Sequence, residues 1–163
     1  AYATFLGADE SLVLRTTLSW AWFRPSHAAW EKGARWYRCD VIGGNAASTS
    51  YRSLPETAEG LLTGRPNDTW LSCARGASLA QGEKVPCSQK HDWRAVTTVK
   101  LGDPDDAYPG DRVMESRTNA FCRQSVKAWL NYPAEFDFAY TYFHEAEWTA
   151  GVRRSVCWAM TAE

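Results

Sequence analysis

Three histidines, five cysteines and several exposed-type carboxylates are the residues of this chain that could do chemistry. His91-Asp92 has the composition of an acid–base pair, because imidazole titrates near neutrality and a carboxylate can orient it. Adjacent residues on a strand point to opposite faces, however, so these two would not pair with each other. A ring bonded to the backbone near the Cys87 turn is the competing reading. A hydrolase or transferase would need His91 to find a carboxylate elsewhere, and no Gly-x-Ser-x-Gly elbow supplies a nucleophile. His144-Glu145-Ala146-Glu147 lacks the second histidine of a zinc-protease helix. Asp103, Asp105 and Asp106 lack the glycine and glutamate spacing of a calcium loop, which leaves a solvated acidic turn. The expectation is therefore a protein with no metal, no cofactor and no catalytic set, more a binder than an enzyme.

Two arginines stand in matching contexts. Trp30, Gly33, Arg35 and Cys39 follow the spacing W-x2-G-x-R-x3-C, and Trp148, Gly151, Arg153 and Cys157 repeat it. Arg35 and Arg153 each lie just past a short helix that a glycine ends, where a guanidinium can cap the last carbonyls. The functional alternative is an anionic ligand held by each arginine, such as a phosphate or carboxylate. Trp20 and Trp22 align with Phe138 and Tyr140 ahead of the two motifs. Such aligned aromatics read as core. Trp36, Tyr37 and Trp93 have no aligned partner and are the better candidates for a ligand or partner surface. His91, Arg35, Arg153, Trp36 and Trp93 make up the candidate ligand set.

The elements that would position these residues follow from period and punctuation. Leu12 to Phe23 reads as a strand broken at Thr16, because apolar residues alternate. Ser26 can cap a helix from His27 to Lys32, and a strand from Arg35 to Ile42 follows. A polar loop spans 45–53, a brief helical segment lies within 54–62, and Trp70 to Cys73 is a short strand. Residues 74–84 are small and polar, a loop. Trp93 to Leu101 reads as a strand. Asp111 to Asn131 is the clearest helix, with Met114, Thr118, Cys122 and Val126 at helical spacing. Phe136 to Phe143, a short helix and Arg153 to Met160 complete the chain.

That order predicts an α+β fold of two related lobes, each a small antiparallel or mixed sheet with helices packed on it. The first lobe would span 1–64, a connecting loop 65–84 and the second lobe 85–163. Phe5-Leu6-Gly7 resembles Trp129-Leu130-Asn131, the end of the long helix. The first lobe is thus expected to be incomplete at its N-terminus, with the counterpart of Cys122 falling just before residue 1. The 163 residues are 45% apolar, enough for a packed core. A formal net charge of −1 argues against a nucleic-acid partner. No apolar run approaches a bilayer span, so any membrane anchor would lie outside this chain. Separated cysteines without a C-x2-C pair suggest disulfides and an oxidising compartment.

The combined pattern resembles the actinobacterial septum-formation family. It is carried by Pro25-Ser26 with the first W-G-R-C motif, by Cys87 with His91-Asp92, by Tyr108-Pro109-Gly110 and Cys122, and by the second motif. Arg94 departs from the acidic residue that the family pattern has two places after Asp92. The resemblance implies an exported domain, secreted or anchored at the cell surface. Its partner would be a cell-envelope polymer or envelope protein, and its role septum formation or wall assembly. A secreted ligand-binding protein with a pocket between the lobes is a further reading. Within this frame Cys122 would bond Cys157 and Cys73 would bond Cys87, leaving Cys39 over. The rival connectivity joins Cys39 to Cys73 or Cys87.

Overall fold

A computed structural model describes residues 1–45, 48 and 50–161. Part of the expected 45–53 loop and the last two residues of the second lobe therefore lie outside the described residues.

Asp9 decides the N-terminal geometry. Its carboxylate accepts from Leu12 N at 2.7 Å and starts a short helix. Two single-turn helices result, α1 (Tyr2–Phe5) and α2 (Glu10–Val13). The strand expected from Leu12 thus begins only at Ser19, because the cap turns residues 10–13 into helix. Strand β1 (Ser19–Phe23), helix α3 (His27–Glu31) and strand β2 (Arg38–Ile42) follow. Ser26 caps α3 through Ala29 N at 3.2 Å. β1 and β2 pair antiparallel as a two-stranded sheet, with Trp22 opposite Cys39 and Trp20 opposite Val41. Leu6, Leu18 and Leu62 form the small core beneath. The segment 54–62 supplies Leu54, Ala58 and Leu61 to that core as turns, and no helix forms there.

The stretch 74–84 is not simply a loop. Its ends belong to a hairpin of β3 (Ser72–Arg75) and β4 (Glu83–Pro86), and only the tip between them is irregular. Next come β5 (Trp93–Lys100), α4 (Asp111–Trp129), β6 (Phe138–Tyr140), α5 (Glu145–Thr149) and β7 (Arg154–Met160). The five strands form one antiparallel sheet in the order β4-β3-β5-β7-β6. The fold is α+β with two sheets, as its alternation of elements predicts.

Alternation within the strands sorts the core. Cys157 and Ala159 face α4 together with Val96, Val99 and Leu101. Met114, Thr118, Cys122 and Val126 recur every fourth residue of α4 and are fully buried. Trp93, Ala95, Val156 and Trp158 occupy the opposite face with Ala74. A bulge between Ala95 and Thr97 shifts the alternation, so that Val96 and Val99, three residues apart, both join the core under α4. The N-terminal segment docks on this sheet through α2. Ser11 accepts from Thr98 at 2.7 Å, Arg15 donates to Val96 O at 2.9 Å, and Glu10 meets Arg154 at 2.9 Å.

Candidate functional site

The two W-G-R-C motifs adopt one local geometry. Gly33 and Gly151 have φ of 96° and 98°, a left-handed turn that ends α3 and α5 without a Cβ penalty. The chain then reverses, and each arginine folds back over its own tryptophan. Arg35 sits 4.0 Å from the Trp30 ring centroid, and Arg153 sits 4.0 Å from that of Trp148. Arg35 donates to Trp30 O at 2.5 Å and Ala34 O at 2.9 Å. Arg153 donates to Trp148 O at 2.5 Å and Val152 O at 2.9 Å. In each motif these carbonyls at the helix end accept from one guanidinium nitrogen, so each arginine works as a cap.

The surroundings of the two motifs differ. Trp148 is buried against Tyr108 and Phe143, and its Nε1 donates to Asp106 O at 2.9 Å. Arg153 also donates to Asp103 O at 3.0 Å and Pro104 O at 2.9 Å, tying down the acidic loop. Trp30, Trp36 and Tyr37 remain exposed. The sidedness of these aromatics could not be read from sequence, because it depends on which loop covers each motif.

His91 is buried, with Nδ1 2.7 Å from Gln89 O. It lies against Cys73 and Cys87, the three side chains offering ligand atoms within 4.8 Å of one another. Cys73 and Cys87 are bonded to each other, so their sulfurs are committed to the disulfide rather than to a metal. Cys122 is bonded to Cys157, and Cys39 is a free, exposed thiol. Asp92 accepts from Gly76 N at 2.7 Å and fixes the β3–β4 hairpin instead of orienting His91.

A groove of about 830 Å³ opens on the sheet face opposite α4. Its walls are the hairpin tip, with Ser78 and Leu79, and the β6 edge, with Asp137, Tyr140 and Tyr142. Trp93 lines it, with Nε1 donating to Gly76 O at 3.0 Å. Of the five candidate ligand residues only Trp93 reaches this groove; His91, Arg35, Arg153 and Trp36 lie elsewhere. Lys84 projects into it, its Nζ 4.0 Å from the Trp158 ring centroid. No carboxylate pairs with Lys84 among the described residues. Burial costs the ammonium hydration and lowers its pKa to about 8, from an ordinary 10.5. The groove thus combines aromatic faces, a poorly hydrated cation and a few hydroxyls. Such a set suits a ligand with a ring face and a negative group. Sequence inspection missed Lys84; its only signal was an isolated cation ahead of Val85-Pro86.

A second polar cluster joins α4 to α5. Asp111 accepts from the Tyr108 hydroxyl and lies 3.2 Å from His144 Nδ1. These hydrogen bonds hold the Asp111 carboxyl below its usual range, while desolvation and the Asp111 charge push the Tyr108 hydroxyl up. Glu147 accepts from His144 N at 3.0 Å, which closes a capping box on α5. The cluster is exposed, and its bonds anchor the two helix starts.

These features define a disulfide-tied α+β domain with an open, aromatic, cation-bearing groove. The septum-formation family model matches residues 5–157, and the chain belongs to that family. Comparison with curated proteins and with solved structures found no match. The two disulfides suit an oxidising compartment, and no described helix is long and apolar enough to cross a membrane.

Proposed function

We propose that the chain is an extracytoplasmic binding domain of the cell envelope. It acts in septum formation or wall assembly by holding an anionic wall polymer in the groove over Trp93 and Lys84. The observation that carries this reading is the Lys84 ammonium, which lines an open groove, lies 4.0 Å from the Trp158 ring centroid and has no carboxylate partner among the described residues. A cation with no carboxylate beside it gains most from a phosphate or carboxylate ligand, and the neighbouring aromatic faces suit sugar rings. Membership of the septum-formation family supports the envelope setting, and the disulfides support an exported location. A hydrolytic role through His91 draws no support from geometry, since that ring is buried beside a disulfide and does not line the groove.

Cosedimentation with isolated cell walls tests the proposal. The chain should be retained by walls that carry their anionic polymers and released once those polymers are stripped. Lys84→Met should lose retention while keeping its fold. Equal retention by intact and stripped walls, or by wild type and Lys84→Met, refutes the groove as the binding site.

A further inference from the structure

The end of β1, helix α3 and the start of β2 form an arm that projects into solvent. Pro25 is its one buried residue, and Ala29 and Ala34 are half-buried; every other residue from Trp22 to Cys39 is exposed. The arm is held in shape from within. Ser26 caps α3, Gly33 ends it with φ 96°, and Arg35 closes back on the Trp30 carbonyl. The equivalent unit in the second half lies under the loop that carries Asp103, Pro104 and Asp106. A rigid arm without such a cover is placed to meet something outside the chain.

Rings and cations make up what the arm exposes. Trp22, Phe23, Trp30, Trp36 and Tyr37 are all exposed. The Tyr37 ring lies 6.4 Å from both Trp22 and Trp30, and a cavity of about 380 Å³ opens between Trp30, Tyr37, Arg24 and His27. Neighbours on a strand point to opposite faces, so Trp22 and Phe23 put rings on both sides of the hairpin. A guanidinium rests on three of the rings: Arg24 at 5.3 Å from Trp22, Arg35 at 4.0 Å from Trp30 and Arg38 at 4.9 Å from Phe23. Residues 22–40 hold Arg24, Lys32, Arg35 and Arg38 against Glu31 and Asp40, whereas the whole chain has a net charge of −1. The arm is therefore a positive pole on a chain whose remainder is negative. Asp40 meets Arg38 at 2.9 Å and Glu31 lies 3.7 Å from His27. No carboxylate pairs with Arg24, Lys32 or Arg35 among the described residues.

We propose that this arm docks on an anionic bilayer surface, with the rings of Trp22, Trp30, Trp36 and Tyr37 in the headgroup layer and Arg24, Lys32, Arg35 and Arg38 on lipid phosphates. Indole and phenol rings join an apolar body to a polar tip, which favours the boundary between water and hydrocarbon. A polymer strand or the flat surface of a partner protein covers one side of a hairpin. Rings on both sides call for a medium that closes around the arm, as a headgroup layer does. Arginine stems that lie along the rings leave the charged heads free for phosphate oxygens. An anionic surface repels the negative remainder of the chain and so turns the arm toward itself. The contact is peripheral, since no described helix is long and apolar enough to cross a membrane. None of these residues lines the groove over Trp93 and Lys84, so this surface is independent of the wall-polymer site.

Vesicle sedimentation and tryptophan emission test this. The wild-type chain should sediment with vesicles of phosphatidylcholine and phosphatidylglycerol in equal parts, and much less with phosphatidylcholine alone. Its emission should shift to the blue on the anionic vesicles, and added salt should release it. Replacing Trp22 and Trp36 together by serine should weaken partitioning about tenfold or more, because two large rings no longer leave water. Replacing Arg24 and Lys32 together by glutamine should abolish the preference for anionic vesicles. All four positions are exposed, and circular dichroism checks that the variants keep the fold. Equal sedimentation with both vesicle types, or none with either, overturns the proposal on the wild type alone. Folded variants that bind like the wild type overturn it as well. Retention on dextran sulfate beads without any emission shift on anionic vesicles assigns the arm to a polymer and overturns the bilayer as its occupant.

Discussion

Replacing Arg153 by alanine should destabilise the chain distinctly more than replacing Arg35. The two residues share a motif, a helix-end role and a stacked tryptophan, so the comparison cancels the common terms. What remains is the pair of bonds from Arg153 to Asp103 O and Pro104 O. A hydrogen bond of this kind contributes about 1 kcal/mol net when partly solvated, giving about 2 kcal/mol for the pair. The loop it holds also carries Gly102, where an added Cβ would meet Trp148 at 2.5 Å, so the loop is pressed onto that ring. Releasing it would loosen the packing of the buried Trp148 as well. Urea unfolding of both variants reads the difference as a shift of midpoint at constant slope. For a chain of this size about 2 kcal/mol corresponds to a Tm difference of about 4–8 °C. If Arg35→Ala costs as much as Arg153→Ala, the loop tether contributes nothing and the reasoning fails.

Three further outcomes follow from the packing and the charges. Met114→Ala removes a fully buried side chain from the interface of α4 with the sheet. It should cost about 2–5 kcal/mol in urea unfolding, and a cost under about 1 kcal/mol would mean that the core closes over the gap. Replacing both Cys122 and Cys157 by serine opens a loop with a sequence separation of 35, against 14 for Cys73 and Cys87. Loop-closure entropy gives about 4 kcal/mol for the first pair and about 3 kcal/mol for the second, so thermal melts should rank them in that order. The folded chain releases the Lys84 proton near pH 8, whereas the unfolded chain holds it to about 10.5. The unfolded state thus binds more protons between these values, and this residue's contribution to stability rises with pH there. Wild type should gain on Lys84→Met across that window, and its retention on anionic walls should weaken from about pH 8 upward; flat curves refute the assignment.

Local signals made much of the fold legible in the chain. The fourfold spacing of Met114, Thr118, Cys122 and Val126 specified α4 and its buried stripe, because a helix returns to the same face every 3.6 residues. Gly33 and Gly151 marked the ends of α3 and α5, because a positive φ is cheap only without a Cβ. The doubled motif marked the matching faces of the two sheets. Elsewhere a short-range competitor decided the outcome. Leu12 and Leu14 alternate like a strand, yet the Asp9 cap makes the segment helical. Residues 74–84 read as loop because small polar residues carry little periodicity, while pairing of the two ends with each other, and of Ala74 with β5, makes them strand.

The sequence by itself determined the class of fold, the equivalence of the two motifs and the family, since each rests on residues close in the chain or repeated at fixed spacing. Only the tertiary structure decided which aromatics are core and which are exposed. Trp148 is buried because the 102–108 loop folds over it, and Trp30 has no such cover. The groove was likewise invisible in the sequence. Lys84, Trp93, Asp137 and Tyr140 come from three strands and a turn, and antiparallel pairing across the β4-β3-β5-β7-β6 sheet is what gathers them. Such contacts are long-range, and no local period records them.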